Sequence, residues 1–167
     1  MKRHLLLFFA MLMATLSLSA ATKTWSFEWN KGPKDAGAQG FDNFGTSFVE
    51  KSFYEAELNG VTWNIKSDGT MKYAYTASLG QTIGAGSSVS DYTELWTSGI
   101  SGKIKAVRVK AKTKSNSKNT ADLSVKVNGV EYKCGDKTTA ELTSQLAENE
   151  FKATDNGQEG KIVIAIK

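Results

Sequence analysis

The chain has few of the residues that most often carry chemistry or covalent bracing: among 167 residues there are one histidine, one cysteine and one proline. The histidine, His4, falls inside an N-terminal stretch laid out like a secretory signal. Lys2, Arg3 and His4 form a charged start, residues 5–16 are a short apolar run, and Ser19, Ala20 and Ala21 supply the small residues expected before a cleavage ahead of Thr22. Residues 22–167 then contain no histidine. That excludes Ser-His-Asp and Cys-His nucleophilic sites and any histidine metal centre. Cys134 has no second cysteine to bridge to, and one thiolate cannot build a zinc cluster. It is expected either as a small buried hydrophobe or as a thiol that pairs between molecules.

Long apolar runs are also missing. The stretch at 5–16 falls short of the roughly 20 residues that a membrane-spanning helix takes, and no later stretch approaches that length. The cleavage region has no cysteine for a lipid anchor, so a soluble exported protein, periplasmic, secreted or at the cell surface, is expected. Removal of Lys2 and Arg3 takes the formal charge from +4 to +2, which implies no nucleic-acid partner. A single domain at 22–167 is long enough to bury roughly two-thirds of the surface its unfolded chain exposes, and so to fold without disulfides.

What is present is alternation with a period of two. Trp25, Phe27 and Trp29 alternate with Thr24, Ser26 and Glu28, and Val61, Trp63 and Ile65 with Thr62, Asn64 and Lys66. Met71, Tyr73 and Tyr75 repeat the pattern, as do Val107, Val109 and Ala111 against Arg108, Lys110 and Lys112, and Leu123, Val125 and Val127 against Ser124, Lys126 and Asn128. Asn59-Gly60 and Asn128-Gly129 are two-residue hairpin turns, because both positions accept a positive φ at low cost. Residues 67–69 read as a third turn, and residues 31–43 and 114–120 as long loops. Residues 138–149 hint at a helix, with Leu142 and Leu146 at i, i+4, but Ala140, Leu142 and Ser144 fit a strand nearly as well, and the segment is read as a loop or short turn. Residues 161–167 are apolar on both faces, which predicts a strand interior to a sheet. Eight to ten short strands without a long helix predict an all-β, two-sheet antiparallel β-sandwich, with a jelly roll as the expected arrangement.

Trp25-Ser26-Phe27, Gly45-Thr46-Ser47-Phe48, Leu58-Asn59-Gly60-Val61-Thr62-Trp63 and the run from Ser98 through Gly102 to Val107 form an ordered series. Leu123 to Val130 and Gly160 to Ile164 continue it. The series resembles secreted β-sandwich modules of Bacteroidetes-type bacteria, over most of residues 22–167. The resemblance implies a jelly roll akin to galactose-binding-like and carbohydrate-binding domains. Its matching positions are structural, so no functional residue carries over. Such modules usually continue into a further closing strand, so the strand at 161–167 is expected either to precede a missing one or to lie beside an open edge.

Carboxylates are the remaining catalytic material. Glu55 with Glu57, or Asp91 with Glu94, would need to flank a cleft to act as a glycosidase pair, and are read as surface acids. No enzyme activity, metal or cofactor is expected. Neither Gly84-Ala85-Gly86 nor the glycines at 99 and 102 open a helix, so no phosphate loop is read there. A sugar site needs flat aromatic faces for pyranose C–H groups and polar partners for hydroxyls. Trp25, Trp29 and Trp63 lie on the apolar faces of their strands and are assigned to the core. In residues 91–97, an inward Leu95 turns Tyr92, Glu94 and Trp96 to the opposite face, and these three form the candidate ligand-binding set; the reverse phase would bury Trp96. The loop at 31–45 offers Asp35, Asp42 and Asn43, readable as calcium oxygens but assigned to turns. Lys105, Arg108, Lys110, Lys112, Lys114, Lys118 and Lys126 gather around one expected hairpin. They read as a solvated face that discourages edge pairing, with an acidic polysaccharide as the other reading. The expected function is a non-catalytic binding module for a glycan or another cell-envelope ligand. The alternative is a structural or adhesive domain that engages a protein through a sheet edge, with 162–166 as its cue.

Overall fold

The computed structural model describes residues 22–27, 53–58, 60–67, 73–76, 80–83, 92–113 and 120–167. The signal-like segment, Trp29, the loop at 31–45 and Asp91 lie outside them. The described residues are all-β, with eleven strands and no helix. In chain order these are β1 (Phe53–Leu58), β2 (Val61–Ser67), β3 (Tyr73–Thr76), β4 (Gly80–Ile83), β5 (Thr93–Thr97) and β6 (Ala106–Ala111). They continue with β7 (Ala121–Val127), β8 (Val130–Glu131), β9 (Thr139–Leu142), β10 (Ala147–Lys152) and β11 (Ile162–Ile166). Every pairing is antiparallel.

The largest sheet runs β1-β2-β5-β11-β7-β8, with β9 also on the outer edge of β7; β10 pairs with β6 and β3 with β4. Alternation is read out directly in burial. Leu123, Val125 and Val127 are buried between exposed or half-buried Asp122, Ser124 and Lys126. Val61, Trp63, Ile65, Leu95, Ile162 and Ile164 add to the same core. Val107, Val109 and Ala111 of β6 pack against it, and Phe151 of β10 is fully buried within it, so the two ladders share one apolar interior.

The Asn128-Gly129 turn forms as that pair requires, with Val127 facing Val130 and φ at +50° and +80°. At the other hairpin Leu58 faces Val61 and Gly60 has φ +75°, while Asn59 lies outside the described residues. The structure corrects several other readings. Residues 22–27 are not in a strand, yet Trp25 stacks on Phe27 and Phe27 meets Trp63 edge-on, with centroids 5.2 Å apart, so the expected core role of Trp25 and Trp63 stands. The segment at 138–149 is not a loop: it forms β9 and the start of β10, because Leu142 and Phe151 supply inward anchors. The expected β6–β7 hairpin is replaced by β6–β10 pairing, and β7 joins the other sheet.

β11 is interior, as its two apolar faces predict, with β5 on one side and β7 on the other. The open edge expected at 161–167 is therefore absent, and the sheet-edge alternative loses that cue.

Tyr132 sits where the chain leaves one ladder for the other: Glu131 faces Lys126 of β7, whereas Lys133 bridges to Lys152 of β10. Tyr132 is fully buried, and its hydroxyl donates to the Ile104 carbonyl while accepting from the Gln158 N–H at 2.9 Å. Gly157, at φ +87°, closes this corner; a Cβ there would stand 2.3 Å from the Ile104 oxygen.

Two outcomes follow. Ile164→Ala is expected to cost about 2–5 kcal/mol in urea unfolding, because it empties a site walled by strands on both sides. A loss below about 1 kcal/mol would contradict an interior β11. Tyr132→Phe is expected to cost about 1–3 kcal/mol, since two backbone groups lose their partner. Burial raises the Tyr132 phenol pKa above its ordinary value. The stability it contributes is thus complete below about pH 10 and is lost as pH rises from there through the folded-state value, a loss that Tyr132→Phe should lack.

Candidate functional site

The middle of the large sheet presents a continuous outward face. Register places Glu55, Asn64, Trp96, Val163, Lys126 and Glu131 in one row across six strands. The next row runs Lys66, Glu94, Ala165, Ser124 and Thr139. Strand β5 has the expected phase: Thr93, Leu95 and Thr97 are buried, while Glu94 and Trp96 are half-buried on the outward side, with half-buried Tyr92 immediately before the strand. The reversed phase, with Trp96 in the core, is not adopted.

The strand is held rigidly at this point. The Thr97 hydroxyl, fully buried, donates to the Thr62 carbonyl at 2.7 Å and accepts from the Gly99 N–H at 3.1 Å, fixing the chain as it leaves Trp96. Apolar Val163 lies directly across from the indole, with Ala165 diagonal to it. Lys161 places its Nζ 4.8 Å from the Trp96 ring centroid, a cation–π contact. This lysine was not legible in the sequence as a neighbour of Trp96, because only the β5–β11 register brings residues 65 positions apart together.

The other candidates fare differently. Glu55 and Glu57 are exposed on the same face of β1, facing Asn64 and Thr62. Asp35, Asp42 and Asn43 lie outside the described residues, and among the described residues no cluster of three acidic, histidine or cysteine side chains is placed to hold a metal. A shallow depression of about 270 Å³ near the start of β7 is lined by Thr120, Asp122, Lys137, Thr139, Glu141 and Lys167. Two acids and two lysines share it, and no sequence signal marked it. Cys134 is half-buried against the core.

Of the basic stripe of β6, Arg108 is matched by acids of the new partner and Lys110 faces Glu148 in register, while Lys114 and Lys118 lie outside the described residues. Arg108 reaches Glu150 at 2.9 Å and Glu148 at 4.0 Å, and Lys152 reaches Glu150 at 2.8 Å. Lys126 belongs to the other sheet and pairs with Glu131 at 3.2 Å. The face is a mixed-charge lattice rather than a positive field. The alternation of Glu148, Glu150 and Lys152 around Phe151 was the available signal for it.

Compared with protein-family models, with curated proteins and with solved structures, the chain matches none. No helix among the described residues is long and apolar enough to cross a membrane.

Hydrogen bonds from Lys152 and Arg108 hold the Glu150 carboxyl below its ordinary pKa. A carboxylate lowered in this way stabilises the fold above its unfolded value, and the contribution disappears as pH falls through the folded one. The acid limb of a melting-temperature profile is therefore expected to be shallower for Glu150→Gln than for the parent protein, with the difference shrinking in high salt.

Proposed function

We propose that the protein is an exported, non-catalytic module that binds carbohydrate through Trp96, assisted by Tyr92 and Glu94, on a β-sandwich of jelly-roll type. The observation that carries this reading is a half-buried indole on the outward side of a strand flanked by two others, beside apolar Val163 and among Asn64, Glu94 and Lys66. Such a surface suits a pyranose, whose C–H face packs on an aromatic ring while its hydroxyls need nearby donors and acceptors. The central strand is fixed by its neighbours, so little side-chain or backbone freedom is lost on binding.

The sandwich arrangement is supported by the single core shared between the large sheet and the β6–β10 pair. Export is supported by the layout of residues 1–21, and a non-catalytic role by the lack of histidine after His4. The Bacteroidetes-type resemblance points the same way. Inference of binding from such an architecture is analogy, and the side chains around Trp96 are what give it chemical content.

The test is a glycan array probed with the purified protein and with Trp96→Ala. The parent is expected to give discrete glycan signals and the variant to lose them by about tenfold or more, while its melting temperature stays within a few degrees. Collapse of folding in the variant, or an unchanged array pattern, would overturn the assignment. Tyr92→Ala, placed before the strand, gives the same readout with less risk to the sheet.

A further inference from the structure

We propose that the sugar taken by the Trp96 face is a hexuronic acid residue whose carboxylate is met by Lys161, an inference that rests on the carbohydrate reading above and narrows it. The ammonium already stands 4.8 Å from the Trp96 centroid. Its backbone is fixed one residue before β11, where the Lys161 carbonyl accepts from the Asn128 N–H at 2.8 Å. Among the described residues, no carboxylate lies within ion-pair distance of Lys161, whereas Arg108, Lys126 and Lys152 each have one.

Two of the acids nearby are engaged elsewhere. Glu159, two residues before Lys161, accepts from the Gly102 N–H at 3.1 Å, and Glu131 holds Lys126 at 3.2 Å. Glu94 faces Lys66 across the β2–β5 register, and Glu55 lies one strand further out, opposite Asn64. Among the described residues Lys161 is thus a cation without an ion-pair partner, as is Lys66 in the next row, and it is Lys161 that stands over the indole.

Chemistry then separates two kinds of sugar. A neutral pyranose seated on the indole competes with the ammonium for the ring and gives it nothing in return. A uronic acid seated the same way sets its carboxylate at the rim of the indole, where the ammonium exchanges a cation–π contact for a charge-assisted hydrogen bond. Lys161 changes from a competitor into a partner.

The experiment is calorimetric titration of the purified protein at low salt with a galacturonic acid tetramer and with the corresponding neutral galactose tetramer. The acidic tetramer is expected to bind about tenfold tighter, the preference falling as salt rises. Lys161→Gln should bring the two affinities together without weakening the neutral one, and Lys161→Arg should keep the preference. Equal binding of both tetramers by the parent, or a preference that survives in Lys161→Gln, overturns this inference and leaves the carbohydrate reading intact. Binding of neither tetramer, with an array that is also silent, overturns both.

Discussion

β11 is the strand on which the large sheet depends. Among the described residues, β1-β2-β5 and β7 with its edge strands are joined only through its five residues, which hydrogen-bond on both sides. Its side chains answer to the same constraint: Ile162 and Ile164 fill the interior, while Val163 and Ala165 lie on the outward side at the sheet's centre, where neighbouring strands screen them. The pairing is also non-local, since β5 and β11 are separated by more than sixty positions, so loop-closure entropy must be met before the contacts form. The apolar floor beside Trp96 is therefore a by-product of closing the sheet.

The second sheet is tied in by a corner rather than by a strand. Between Glu131 and Lys133 the chain changes ladder with its backbone still paired: the Tyr132 N–H donates to the Val125 carbonyl at 2.9 Å, and Lys133 exchanges hydrogen bonds with Lys152. The Tyr132 side chain adds a further tie, its hydroxyl donating to the Ile104 carbonyl and accepting from the Gln158 N–H. Those two residues also bridge each other, with the Ile104 N–H donating to the Gln158 carbonyl at 2.8 Å. Asp155 accepts from the Gly157 N–H at 2.8 Å and sets the turn that brings Gln158 into place. A buried tyrosine and a glycine without room for a Cβ thus fix how the β6–β10 pair meets the rest.

Local pattern carried the all-β class, the two Asn-Gly hairpins, the inward faces of β2, β6 and β7 and the phase of β5, because each depends on neighbours within a few residues. Partner choice was less legible. Chain proximity suggests a hairpin of β6 with β7, yet β10 brings two acids, Glu148 and Glu150, to Arg108, where β7 carries Asp122 alone. β10 itself was overlooked because Glu148, Asn149 and Glu150 dilute its apolar signal to Phe151 alone. Of the candidate site, Tyr92, Glu94 and Trp96 were found by alternation within one strand. Lys161 was not, since its position over the indole follows from register between distant strands.

Charge on this protein acts by placement, not by sum. On the β6–β10 face four cations, Arg108, Lys110, Lys112 and Lys152, meet two anions, and the fold interleaves them, so that Arg108 lies between Glu148 and Glu150 with most of its side chain in water. Interactions so exposed are screened within about 10 Å at ordinary salt and project no field. On the outward face of the large sheet the residues around Trp96 are half-buried while Lys161 itself is exposed, so its charge acts at contact range, over the indole, rather than as a field. The excess of two positive charges in residues 22–167 would not have distinguished these faces; only the pairing of the strands does.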